Sequence, residues 1–246
     1  MTLSIAVVCE GPADRRTGCD IADRVVCEQV RWIEDELLGH LRQWRGVTAV
    51  DAHFAWTEVK RRAKTNLIPL DGFGGEKVAP DAHTARKALW LLRASADPSD
   101  AVVMLRDDDG DVRRKEGLEL ARKYSKPGVP IVLGVAHLKR EAWVLAGFEP
   151  QGKDENARLA QCRQELGFDP RKKAEQLTAV PDDAKKSAKR VLKFLTGGDL
   201  SRETQCWRET NLDLLEQRGE STGLKEYVKE VRTYLAPLFT KRPGTN

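Results

Sequence analysis

The sequence predicts an α/β fold: a mostly parallel sheet with helices on both faces, followed by an α-helical C-terminal region. Three observations carry that expectation. Short apolar runs of strand length stand at 3–9, 101–105 and 129–136, and an alternating run stands at 47–56. Helical periodicity fills the intervals between them, and strands that alternate with helices favour parallel pairing. Beyond residue 150 the chain reads as helical throughout.

In chain order, 3–9 is the first strand. Gly11-Pro12 breaks it, leaving Glu10 at its C-terminal tip and Asp14 near the start of the next element. A long helix is expected over about 20–44, with Ile21, Val25, Val26, Val30, Ile33, Leu37 and Leu41 on its apolar side. A second strand over 47–56 alternates Val50, Ala52, Phe54 and Trp56. The basic stretch 57–64 is either a nucleic-acid contact or a solvated helix face. Residues 71–80 are Gly-rich and read as a loop, and no GxxxxGK[ST] phosphate loop exists in the chain. A helix is expected over 83–96. The next strand, 101–105, runs into Asp107, Asp108, Asp109 and Asp111: four carboxylates in five residues. A helix over 112–124, a Lys-Pro-Gly turn and a strand over 129–136 come next. That strand leads into His137-Leu138-Lys139-Arg140-Glu141-Ala142-Trp143.

Length and composition bound the possibilities. The 246 residues allow one large domain or two small ones, and a division is expected at residue 150. With 40% hydrophobic and 33% charged residues the chain belongs with globular rather than disordered proteins. No stretch approaches the roughly 20 apolar residues of a membrane span. The start has no basic leader, so a cytoplasmic protein without membrane contact is expected. Five scattered cysteines without a CxxC pair argue for reduced thiols and against zinc. The net charge of +4 comes from the C-terminal part: residues 1–150 hold 23 basic and 23 acidic residues, whereas 151–246 hold 19 and 15. A basic excess suits a polyanionic partner. A helix over 181–195 sets Lys185, Lys186, Lys189 and Arg190 opposite an apolar stripe, either to track a phosphate backbone or to stay solvated. Arg15 and Arg16 lie between the first strand and its helix, where a phosphate could reach them.

Clustered carboxylates at a strand end repel one another, so something positive belongs beside them. Mg²⁺, which takes hard oxygen ligands, is the simplest candidate; a solvated acidic turn is the alternative. Strand alternation turns Asp108 away from its neighbours. Asp111 is a peripheral ligand or a helix cap. His137 stands apart from His40, His53 and His83 and reads as structural.

The order of strand, Glu10-Gly11, helix, and a later strand ending in Asp107-x-Asp109 resembles the TOPRIM domain of topoisomerases, primases, recombination proteins and OLD-type nucleases. Glu10-Gly11-x-x-Asp14 is similar to the OLD-type and related bacterial defence-associated nucleases. Lys139-Arg140-Glu141-Ala142-Trp143-Val144-Leu145-Ala146 is similar to a "KxEaWlLA" segment of TOPRIM-like families found beside ATPases in defence loci. The resemblance covers 1–150 and implies a TOPRIM-like, Rossmann-like metal-binding domain there, with 151–246 as a separate basic helical region. It makes Glu10 a metal ligand or general acid/base. Asp107 and Asp109 become Mg²⁺ or Mn²⁺ ligands, joined by Asp14 and Glu141, and Lys139 a cation beside the transferring phosphate. The implied activity is metal-dependent hydrolysis of DNA or RNA, in an anti-phage effector that works with an ATPase. A catalytically silent binding or regulatory module on the same scaffold is the alternative. A receiver-like phosphotransfer domain would need an acidic pair after the first strand, where only Glu10 stands. Tyr124, Tyr227 and Tyr234 sit in no recognisable strand-cleavage module, which argues against a topoisomerase.

Overall fold

A computed structural model describes residues 2–68, 73, 78–125, 128–179 and 181–240. Among them, β1 (Leu3–Cys9), β2 (Arg42–Arg45), β3 (Phe54–Ala55), β4 (Ala101–Asp107) and β5 (Ile131–Ala136) form one sheet in the order β2-β1-β4-β5. β2 pairs with Leu3 to Ala6, and β3 pairs with Val8 and Cys9, so these two short strands share one edge of β1. β4 lies parallel on the other edge, with Ile5 opposite Ala101 and Val8 opposite Met104. The β4–β5 rungs Val102 N–H to Pro130 O and Asp108 N–H to Ala136 O, both 2.9 Å, keep one offset, which makes that pair parallel as well. The fold is α/β, as the sequence predicts.

Right-handed crossovers set which face each helix covers. The β1-to-β2 step runs one way along the sheet and carries α1 (Pro12–Gln29) and α2 (Asp35–Leu41). The steps to β4 and then β5 run the other way. They carry α3 (Trp56–Thr65), α4 (Ala82–Arg93) and α5 (Arg113–Lys123) on the opposite face, where α4 packs against both α3 and α5. Both faces are thereby covered, which is why β1 and β4 read as nearly unbroken apolar runs. Ile5 to Cys9 and Ala101 to Leu105 are all buried. α1 comes so close to β4 that a Cβ on Gly18 would stand 2.3 Å from the Leu105 side chain.

The chain divides into two compact units. The first holds Met1–Arg106, Asp111–Gly134 and the C-terminal segment from Lys229; the second holds Asp107–Gly110 and Val135–Val228. The second unit contains α6 (Glu141–Ala146), α7 (Gly152–Leu166), α8 (Ala188–Thr196), α9 (Leu200–Glu209), α10 (Leu212–Arg218) and most of α11 (Leu224–Glu230). It thus begins before residue 150, because the His137 backbone N–H and Trp143 Nε1 both donate to the Thr222 carbonyl, at 3.0 and 2.8 Å. Gly223, at φ +82°, permits that approach: a Cβ there would meet the Val135 carbonyl at 2.2 Å.

Four elements differ from the sequence expectation. The helix expected over 20–44 begins earlier, at Pro12, where proline suits the first helical position. It ends at Gln29, and Arg42–Arg45 is a strand. Asp23 on α1 draws that strand in: Arg42 donates to both of its oxygens at 2.9 and 2.5 Å, and Trp44 Nε1 donates at 3.1 Å. Arg45 is fully buried and donates to Ser4 Oγ and the carbonyls of Val47 and Asp97. The strand expected over 47–56 shrinks to Phe54–Ala55, with Val50 93% exposed. The helix expected over 181–195 begins at Ala188, because the Ser187 hydroxyl caps it by accepting the Arg190 N–H at 3.3 Å. Lys185 and Lys186 precede it. The end of the chain, expected to be helical like the rest beyond residue 150, changes pitch: α11 passes into a π turn at Val231–Leu235 and a 3₁₀ turn at Ala236–Phe239. Of the Gly-rich loop, Gly72, Gly74 and Gly75 lie outside the described residues. Among the described residues, no helix is long and apolar enough to cross a membrane.

Candidate functional site

In the first unit, the C-terminal ends of β1 and β4 carry the charges. The β1–β4 offset brings Glu10 level with Arg106, and their side chains join: Arg106 Nη1 donates to Glu10 Oε1 at 2.7 Å. Arg106 Nε donates to Asp81 Oδ2 at 2.9 Å, and Arg114 Nη1 stands 3.7 Å from the same oxygen. Arg106 also lies over the Trp56 ring, 5.7 Å from its centre. The positive group beside these acids is therefore a guanidinium. Asp14 closes the start of α1 by accepting the Gly11 N–H at 2.9 Å, which suits an acid in a helix's first turn. Arg15 is tied to the Ala52 carbonyl at 2.7 Å, and Arg16 is exposed. Asp111 is a local cap: it accepts the Arg113 N–H at 3.2 Å and Nε at 3.0 Å, and the Arg113 guanidinium holds its carboxyl below the usual carboxylate range.

In the second unit, the end of β4 and the turn after β5 are locked together through Asp108. This carboxylate is 4% exposed. One oxygen accepts the Leu138 and Gly110 N–H groups at 2.7 and 2.8 Å; the other meets His137 Nδ1 at 2.8 Å. Leu138 adopts φ +65°, a left-handed conformation that costs a non-glycine residue about 1–2 kcal/mol. It is held there at both ends, by the bond to Asp108 and by the Asp109 N–H, which donates to the Leu138 carbonyl at 3.2 Å. Asp109 is itself left-handed, at φ +48°. Asp107 Oδ1 accepts the Arg140 N–H at 2.9 Å. The result is two short turns with fixed geometry that carry Asp107, Asp109, His137, Lys139 and Glu141.

The cations of this unit are mostly matched. Arg140 is nearly buried; its Nη2 donates to Glu141 Oε1 at 3.2 Å and stands 3.9 Å from Glu203 Oε2. Lys139 Nζ stands 3.8 Å from one oxygen of Asp182, and Lys189 Nζ donates to the other at 2.5 Å. The Lys189 ammonium lowers the Asp182 carboxyl below its ordinary value, and Asp182 raises Lys189 in return. Arg190 Nη2 stands 3.6 Å from Glu165 Oε2. Of the proposed phosphate-tracking face, Lys185, Lys186 and Lys189 are exposed, and Lys185 and Lys186 precede the helix.

The expected acids therefore fall in both units: Glu10 and Asp14 in the first; Asp107, Asp109 and Glu141 in the second. In donor chemistry they fit Mg²⁺ or Mn²⁺, being hard carboxylate oxygens. As arranged, no group of three or more His, Cys, Asp or Glu side chains comes together as a metal site among the described residues. Asp108 and His137 are the residues whose pairing sequence reasoning did not find: it turned Asp108 away from its neighbours and took His137, near the expected site, as structural. Their signal was position: each is a polar residue just past the C-terminal end of one of two neighbouring strands. Burial pushes the thiols of Cys9 and Cys206 up to about 12 and that of Cys162 to about 11, which disfavours their thiolates. No family model, curated protein or solved structure matches the chain.

Proposed function

We propose that the protein is a metal-dependent phosphodiesterase that hydrolyses DNA or RNA, acting in phage defence beside an ATPase partner. The observation that carries this reading is the Asp108 lock. A buried carboxylate, a strained Leu138 and an oriented His137 hold Asp107, Asp109 and Glu141 on two rigid turns, and strain of this kind gathers at functional sites. Ligands of open α/β sheets meet the same C-terminal strand ends.

In this reading the second unit's Asp107, Asp109 and Glu141 would hold Mg²⁺ or Mn²⁺. Such a metal supplies an activated water and stabilises charge on the scissile phosphate. The chain's own groups do the rest. Asp108 fixes the His137 ring through Nδ1, so Nε2 faces the substrate and hydrogen-bonds a phosphate oxygen. Lys139 adds positive charge beside that phosphate. Lys185 and Lys186 hold the strand by its backbone, with Arg15, Arg16, Lys189 and Arg190 as further contacts.

The second reading, a binding module without catalysis, is favoured by one observation: Glu10 and Asp81 are already answered by Arg106, and no three-donor group forms among the described residues. Incubation of purified protein with supercoiled plasmid and single-stranded RNA separates the two. The nuclease predicts cutting with Mg²⁺ or Mn²⁺, none with EDTA, and a loss of roughly a hundredfold or more in Asp107→Ala. Intact substrate under every condition, with nucleic acid still bound in a gel shift, supports the module.

A further inference from the structure

At the other end of the first unit's sheet, where β4 and β5 begin, lies a cavity of about 640 Å³. That is within the range of small-molecule sites. α4 forms one wall through Arg86, Trp90 and Arg93, spaced i, i+4, i+7 on one helix face, with Lys87 beside them. Leu89, Val102 and Ile131 make an apolar floor, and Tyr124 closes the end of α5. Three features stand out. Among the described residues the lining holds three cations and no carboxylate. Lys87 and Arg93 have no ion-pair partner among the described residues. Trp90, which a helix facing only solvent has no use for, is 45% exposed at the mouth. Ser99 supplies a fourth: it lines the cavity, is 7% exposed, and its Oγ is buried just behind that lining without a hydrogen-bond partner. Buried hydroxyls are almost always satisfied.

We propose that this cavity binds a nucleotide. A base is flat and largely apolar on its faces, so it stacks on Trp90 as bases do on exposed aromatic side chains. Its edge carries the polar atoms that Ser99 Oγ lacks. The phosphate meets Arg93 and Lys87. Inorganic phosphate satisfies only the rim, and an aliphatic acid leaves Ser99 unpaired. The proposal does not rest on the phosphodiesterase reading, since every described lining residue lies in the first unit and none belongs to the acid turns.

The test is calorimetric titration of the full chain with the four ribonucleoside monophosphates, adenosine, inorganic phosphate and octanoate. A 5′-phosphorylated dinucleotide is titrated alongside. At least one monophosphate should bind, with adenosine and phosphate each tenfold or more weaker. Trp90→Ala and Arg93→Glu, both at exposed positions, should each weaken that binding at least tenfold while the melting temperature holds. Ser99→Ala should weaken it several-fold. A dinucleotide that binds as tightly as the monophosphate identifies a strand end as the ligand, and one that is rejected identifies the free nucleotide. Failure of every monophosphate to bind overturns the proposal. So does binding that both Trp90→Ala and Arg93→Glu leave unchanged, or octanoate binding more tightly than any monophosphate. Nucleic-acid cleavage is assayed on the same variants: cutting that persists when nucleotide binding is lost keeps the two sites separate.

Discussion

Two groups of acids in this protein are neutralised in different ways. In the first unit, Glu10 and Asp81 share the guanidinium of Arg106. In the second, Asp108 is answered by two backbone N–H groups and an imidazole. A guanidinium on a long side chain can swing away and leave its carboxylates to another cation. Backbone amides cannot, so Asp108 is a fixed structural anchor while Glu10 stays exchangeable. The two kinds of acid are distinguished by their partners rather than by residue type.

Removing the fixed anchor should have the largest effect. Asp108→Ala leaves two N–H groups and His137 Nδ1 without their acceptor, and buried groups left unpaired cost about 1–3 kcal/mol each. We expect about 2–4 kcal/mol lost in urea unfolding, and cleavage lost with it. Asp108→Asn, which keeps an acceptor for the amides, should lose less stability. Equal, small losses in both variants would break the distinction.

Removing the exchangeable partner should act on ligands more than on stability. Arg106→Met removes the guanidinium that Glu10 and Asp81 share, so Mn²⁺ binding at these carboxylates should tighten by roughly tenfold, about 1.4 kcal/mol, the size of one partly screened charge contact. Calorimetry reads this directly. Weaker Mn²⁺ binding would mean that Arg106 supports the acids rather than competing for them.

A smaller effect concerns an acid held purely for structure. Asp169 is bound by Arg171 at 3.0 and 3.1 Å and by Arg163 at 2.5 Å. Burial works to raise its carboxyl, but these hydrogen bonds outweigh burial and hold it at about 2. A lowered folded value contributes stability that is complete above the ordinary carboxylate range and is lost as pH falls from about 4 towards 2. Thermal melts of Asp169→Asn should therefore be less acid-sensitive than wild type in that window and no less steep above pH 5. The smallest effect belongs to the exposed basic pair. Lys185→Ala with Lys186→Ala should reduce the salt dependence of nucleic-acid binding by about two phosphate contacts, with little change in stability.

Much of this was legible in the sequence where local pattern and tertiary need agree. The apolar runs of β1, β4 and β5 state their burial directly, and α4 and α5 follow their periodicity. β2 was not legible, because Arg42 and Arg45 belong in a strand only once Asp23 and the carbonyls of Val47 and Asp97 are in place. The site was half legible. Glu10, Asp107 and Asp109 announce themselves as acids at strand ends. Asp108 and His137 do not, because their meaning lies in a pairing across two neighbouring strands, 29 residues apart in the chain. Arg106 was hidden for the same reason: it sits inside a strand, and only the β1–β4 offset puts it beside Glu10.

The central claim is that the acids of the β4 end take a divalent cation. Calorimetric titration of Mn²⁺ into the wild-type chain and into Asp107→Ala tests it most directly. The account predicts saturable binding in the wild type that disappears in Asp107→Ala while the thermal melt stays within about 1 kcal/mol of wild type. Wild-type protein that takes up no Mn²⁺, or an Asp107→Ala variant that binds it as tightly, would contradict the claim.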